Sequence, residues 1–195
     1  MRHKNPIIID IDKSDLSWLH ITGGAMNSVM AWLQKHHKNQ IRELKRPEIG
    51  QHNKDIFAIL GEPSHRYWTG IIEWSSNFGV HEWWQHDDLM EWFPHFDRYT
   101  LRYSEYIEQV PPIKHFFKVG PLLSENMASL IKRYNLDLKF DFPHVKPRYK
   151  WAPAITKIYD EILPKFKKIV KQSPELSKKL EEYLEPDYVY YQKAI

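Results

Sequence analysis

The chain has 195 residues, 42% apolar and 14% aromatic, enough for one well-buried domain over residues 1–195 and too few for two ordinary ones. Its formal charge of +3 is spread along the chain instead of gathered in one block, which gives a nucleic-acid role little support. The absence of Cys excludes disulfides, thiolate metal sites and Cys nucleophiles, and no apolar run approaches the roughly 18 to 20 residues of a membrane span. No basic, apolar, small-residue leader opens at Met1-Arg2-His3-Lys4, so the cytoplasm is the expected location.

Ile7-Ile8-Ile9 and Leu16 to Ile21 read as short strands, the second ending at Gly23-Gly24. Met26 to Lys35 then carries helical spacing through Val29, Met30 and Leu33, which makes a strand, Gly turn, helix unit. Residues 39–54 are polar and predict a partly helical connection into a strand at Ile56 to Leu60. A turn at Pro63 and a helix at Tyr67 to Trp74 complete a second unit of the same kind. Val80 to Trp92 predicts a Trp-rich helix, and Asp97 to Gln109 another, stopped by Pro111-Pro112. His115 to Val119 is the third buried strand. Ser124 is placed to cap a helix running to about Tyr134, because its hydroxyl can accept from the free amides of a first turn. Residues 140–153 read as a Pro-rich basic loop. Two helices follow, Ile155 to Lys171 and Pro174 to Leu184, with Ser173 as the cap of the second and Pro at its first position. Strands alternating with helices predict an α/β fold: a parallel β-sheet flanked by helices, a helix-rich C-terminal half, and ligands outside the carboxyl ends of the strands.

The run Phe57-Ala58-Ile59-Leu60-Gly61-Glu62-Pro63-Ser64-His65-Arg66-Tyr67-Trp68-Thr69 resembles a segment of the sulfotransferases that use 3'-phosphoadenosine-5'-phosphosulfate. In that family a buried strand is followed by Arg, Asp or Asn, Pro, two variable residues, Arg, an aromatic, and a Ser one residue later. Here Pro63, Arg66, Tyr67 and a hydroxyl at Thr69 match, Glu62 stands for Asp or Asn, and Gly61 replaces the first Arg. The resemblance implies that Arg66 and Thr69 face the nucleotide's 3'-phosphate, for which a guanidinium offers paired donors and a fixed charge. Upstream, His20-Ile21-Thr22-Gly23-Gly24-Ala25-Met26-Asn27-Ser28 resembles the family's phosphosulfate loop, with Gly23 in place of its Lys. Thr22, Gly23, Gly24, Asn27 and Ser28 are then the residues expected to cradle the 5'-phosphosulfate, since unpaired helix amides attract anions. Phe117-Lys118-Val119-Gly120 with Glu125-Asn126-Met127, Phe142-Pro143-His144-Val145-Lys146, and the ending Tyr183 to Tyr188 also resemble family segments. Lys146 and Arg148 are expected to add phosphate charge. The implied architecture is that of a P-loop kinase, and the resemblance runs from about His20 to the end.

What this implies is transfer of a sulfuryl group from 3'-phosphoadenosine-5'-phosphosulfate to a hydroxyl on a small molecule or carbohydrate, releasing adenosine 3',5'-bisphosphate. Such transfer rests on positioning, a base for the acceptor proton, and positive groups at the departing nucleotide. In some glycan sulfotransferases the base is a His between the first helix and the second phosphate strand, an interval that here holds His37 and His36, with a solvated face beside Lys35 and Lys38 as the plain alternative. A competing expectation is a catalytically inactive protein of the same fold that binds a nucleotide, glycan or protein through a Trp-rich cleft. His81-Glu82-Trp83-Trp84-Gln85-His86 holds metal-ligand residue types, but its spacing is not that of a zinc helix, and no metal is expected. Asp10-Ile11-Asp12 after an apolar strand suggests a haloacid-dehalogenase opening, yet Thr22 follows too soon for that fold's second motif, so both Asp are read as turn residues.

Overall fold

The computed structural model describes residues 6–21, 26–37, 41–78, 93–96, 100–136 and 157–195. Strands β1 (Ile7–Ile11) and β2 (Leu16–His20) lead to helix α1 (Met26–His37), strand β3 (Ile41–Glu43) and the short helix α2 (Arg46–Ile49). Strand β4 (Asp55–Leu60) is followed by α3 (Pro63–Phe78), α4 (Tyr103–Ile107), strand β5 (Ile113–Lys118) and α5 (Leu123–Arg133). A π-helical turn at Ile158–Ile162 runs into α6 (Leu163–Gln172), and α7 (Pro174–Lys193) follows.

The five strands form one sheet in the order β3-β1-β2-β4-β5. β2 pairs in parallel with β4, and β4 with β5, as alternating strands and helices predict. The sheet is nevertheless mixed and not wholly parallel, because β1 is antiparallel to both β2 and β3. The reason is the link Asp12–Asp15, which turns the chain through Lys13 at φ 56 and is far too short for the crossover that parallel neighbours need. Asp10 consequently lies in β1 and not in a turn; its Oδ1 accepts from the Ser17 hydroxyl at 3.0 Å and pairs with Lys54 at 2.8 Å.

β4 explains why the apolar run was legible. Phe57 and Ile59 project into a layer with Trp18, Trp32 and Phe117, beneath α1 and α5. Ile56, Ala58 and Leu60 project to the other face, against Leu19, Tyr103 and Tyr106. A strand buried on both faces needs apolar residues at every position, which is what its near-continuous hydrophobic sequence supplies. A third cluster joins α3, α6 and α7 through Trp68, Phe166, Val170, Leu180 and Leu184. At the outer edge of β5, Ile195 bonds Phe116 and Lys118 through its backbone, covering part of that edge.

Several element ends differ from expectation for identifiable reasons. Residues 39–54 hold β3 as well as a helical turn. α3 begins at Pro63, before Tyr67, because Pro suits a first helical position and Glu62 caps it, its Oε2 accepting from the His65 amide at 2.6 Å. α5 begins at Leu123, so Ser124 lies inside the helix and does not cap it. Ser173 does cap α7, its hydroxyl accepting from the Leu176 amide. α7 continues through Pro186 to Lys193, although an interior Pro costs roughly 3 kcal/mol. Burial of Tyr183 and Leu184 before that Pro, and the bond from the Tyr103 amide to Asp187 after it, offset the cost. The helix expected at 80–92 and the loop at 140–153 fall outside the described residues, as do residues 97–99; of the helix expected from Asp97 to Gln109 the described part is α4, and residues 100–102 before it are not helical. Among the described residues, no helix is long and apolar enough to cross a membrane.

Candidate functional site at the carboxyl edge of the sheet

β2 and β4 are adjacent and parallel, with Leu19 opposite Ala58, so the turns that follow both strands lie at one edge of the sheet. Each turn leads into a helix, α1 from the first and α3 from the second. Two helix N-termini, each with amides that lack partners inside the helix, are therefore brought to the same edge.

The turn after β4 is closed by its own side chains. The Tyr103 hydroxyl donates to the Gly61 carbonyl at 2.6 Å, and burial pushes that hydroxyl's pKa well up. Glu62 accepts from the Tyr188 hydroxyl at 2.5 Å through Oε1, while its Oε2 holds the His65 amide. Burial alone would raise the Glu62 carboxyl, but the Tyr188 hydroxyl and the His65 and Ser64 amides outweigh it and hold the group below its usual range. An ionised carboxylate thus occupies the N-terminus of α3, where an external anion would otherwise be welcome.

Arg66 points inward from the first turn of α3 and is 2% exposed. Its Nη1 lies 3.7 Å from the Asp187 carboxylate, which is 0% exposed, and its guanidinium sits over the Tyr103 ring at 4.7 Å and near Tyr106 at 5.8 Å. The other Asp187 oxygen accepts from the Tyr103 amide at 2.5 Å. Burial pushes the Asp187 carboxyl up to about 6 against the downward pull of Arg66 and that amide. The Thr69 hydroxyl donates to the His65 carbonyl of its own helix at 2.9 Å. Arg66 and Thr69, expected at a phosphate, are thus both engaged within the protein.

The turn after β2 differs. Asn27 and Ser28 lie in the first turn of α1, which carries no acidic residue, and Ser28 is nearly buried. Thr22, Gly23 and Gly24 fall outside the described residues, as do Lys146, Arg148 and the segment His81 to His86. His36 and His37 end α1. At 1.5 Å per residue, His37 stands about 13 Å along the helix axis from Ser28, toward the opposite edge of the sheet. Among the described residues no group of three His, Asp or Glu is placed to hold a metal ion.

Sequence reasoning did not single out Asp187, Tyr103 or Tyr188 as partners of this turn. One signal was available: Leu176, Leu180, Tyr183, Leu184 and Asp187 recur at helical spacing, and a carboxylate on an apolar stripe requires a buried donor or cation.

The chain matches no protein-family model, no curated protein and no solved structure.

Proposed function

We propose that this chain is a sulfotransferase-type α/β domain that moves a sulfuryl group from 3'-phosphoadenosine-5'-phosphosulfate to a hydroxyl of a small molecule or glycan. The observation that supports this reading is the parallel pairing of β2 with β4, which brings the carboxyl ends of both strands to one edge. In this reading the 5'-phosphosulfate half of the nucleotide lies against the N-terminus of α1, with Thr22, Gly23, Gly24, Asn27 and Ser28 around it, and Lys146 and Arg148 add charge. The donor supplies the activated sulfuryl group; the chain's own part is to bind and orient it. The 3'-phosphate half fits less well. Gly61 has no side chain, Glu62 fills the end of α3, and Arg66 is committed to Asp187. Arg66 is then a positioning residue that ties α3 to α7. His36 and His37 stand at the far end of α1, which leaves the base to another group.

Those same three residues favour a second reading, a non-catalytic protein of this fold that binds a nucleotide, glycan or protein partner. Thermal-shift titration with adenosine 3',5'-bisphosphate beside 5'-AMP separates the two, because a ligand of the native state raises the melting temperature. A rise specific to the bisphosphate supports the transfer reading. An equal rise with both nucleotides supports the binding protein, and no rise with either removes the nucleotide from both. Glu62→Gln should enlarge a genuine rise, since it removes a competing negative charge at that edge.

A further inference from the structure

α6 carries Lys165, Lys167, Lys168 and Lys171 and no acidic residue. Its buried stripe of Leu163, Phe166 and Val170 packs in one cluster with residues of α3 and α7. Lys167 and Lys171 are one helical turn apart, so their side chains share a face. Both line an open groove of about 340 Å³ between α3, α6 and α7, with Trp68 as a wall and Val170, Leu180 and Leu184 as an apolar floor. Ser64 and Tyr188 place its mouth beside Glu62, and Glu181 stands on its rim.

The groove is lined by Lys167, Lys171 and Glu181, so its positive charge is only partly balanced. On α7, Lys178 and Lys179 each have a Glu partner one turn away, whereas among the described residues neither Lys167 nor Lys171 is in an ion pair. Lys167 instead rests over the Trp68 ring, its Nζ 5.3 Å from the centroid, and burial lowers its pKa. Both lysines are exposed, and an ammonium that rests on an indole outside an ion pair gains from an anion that brings its own apolar surface. The volume suits one ring and a headgroup and is too small for a helix or a strand. A hydrated inorganic ion leaves the apolar floor unused, and a neutral body leaves the ammonium groups unpaired.

We propose that this groove binds a small amphipathic organic anion, an aromatic or short alkyl body carrying a single sulfate, sulfonate or carboxylate. The groove adjoins the carboxyl edge, but none of its lining residues is among those assigned to the nucleotide, so its own methyls report its occupancy separately. The test is a methyl-resolved NMR titration of the full chain with 4-nitrophenyl sulfate, beside inorganic sulfate and the neutral 4-nitrobenzyl alcohol. Saturable shifts of the Val170, Leu180 and Leu184 methyls are expected with the aryl sulfate. The double variant Lys167→Gln, Lys171→Gln should weaken that binding about tenfold or more, while Glu181→Gln should tighten it. Equal response to inorganic sulfate, equal response to the alcohol, or unmoved methyls at millimolar aryl sulfate overturns the proposal. If the double variant loses its fold by urea titration, the Glu181→Gln variant and the neutral comparator decide.

Discussion

β4 has a polar cluster at each end, and the two are built on opposite principles. At its carboxyl end Arg66 meets Asp187 at 3.7 Å with 2% and 0% of the side chains exposed. At its amino end Lys114 meets Asp55 at 2.6 Å with 50% and 30% exposed. The shorter contact is the one whose loss costs less. Water already solvates Lys114 and Asp55 and screens their attraction, so such pairs contribute about 0–1 kcal/mol. Arg66 and Asp187 have left water almost entirely, so the loss of either takes a counter-charge from a group that water cannot reach. Distance alone therefore misranks ion pairs, and burial corrects the ranking.

The amino-end cluster also shows what a solvated node can organise. The Tyr134 hydroxyl donates to Asp55 and sits 2.8 Å from Nε2 of His115. Because the Tyr134 proton is directed at Asp55, its oxygen accepts from His115, which requires the tautomer with hydrogen on Nε2. Burial, with help from Asp55, pushes the Tyr134 hydroxyl up to about 12. Lys114 and Tyr134 together hold the Asp55 carboxyl below its usual range.

The sharpest way to break the comparison is to remove one buried partner. Arg66→Ala or Asp187→Ala should lower stability by about 3–5 kcal/mol in urea titration, since either takes the opposite charge away from a buried ion. Arg66→Met combined with Asp187→Asn should recover most of that loss, because the Asn oxygen still accepts from the Tyr103 amide. Full loss in the double variant would mean that the pair is not the source of the effect.

The pH dependence follows from the same burial. The folded Asp187 carboxyl, at about 6, lies above the usual unfolded value of about 3.9. Between those values the folded chain keeps a proton that the unfolded chain has lost. The stability this group contributes is fully present below the unfolded value and is lost as pH rises toward about 6. Asp55 and Glu62 are shifted the other way, so their contribution is lost as pH falls below the usual carboxylate range. Stability measured between about pH 4 and about pH 6.5 should therefore fall with rising pH relative to that of Asp187→Asn, while His52, His95 and His115, whose pKa values burial lowers, raise the stability of both proteins toward the upper end of that range.

Smaller effects refine the contrast. Tyr103→Phe removes the hydroxyl that holds the buried Gly61 carbonyl and should cost about 1–3 kcal/mol by the same titration. Glu62→Ala uncaps α3, with an expected loss of about 1 kcal/mol. Lys114→Ala should change the unfolding free energy from urea titration by less than about 1 kcal/mol, and that difference should shrink in molar salt. A Lys114 effect as large as that of Arg66 would overturn the ranking by burial.

The sequence by itself determined the local units: the doubly buried β4, the helical spacing of α1, the third strand, the Ser173 cap and the α/β alternation. Each of these is written within a few neighbouring residues, through side-chain period or a capping hydroxyl. The antiparallel course of β1 was also written locally, in the short link Asp12–Asp15, but its sense depends on what the strand finds to pair with. Only the tertiary structure decided that Arg66 faces inward to Asp187, that Glu62 is shared between its own helix and Tyr188, and that α7 runs on through Pro186. The physical reason is common to all three. An Arg near the start of a helix has the same local signature whether it meets a phosphate or a buried carboxylate, and a Pro ends a helix unless packing on both sides outweighs it. Those choices depend on partners that are distant in the chain and become neighbours only when α7 packs against α3 and α4.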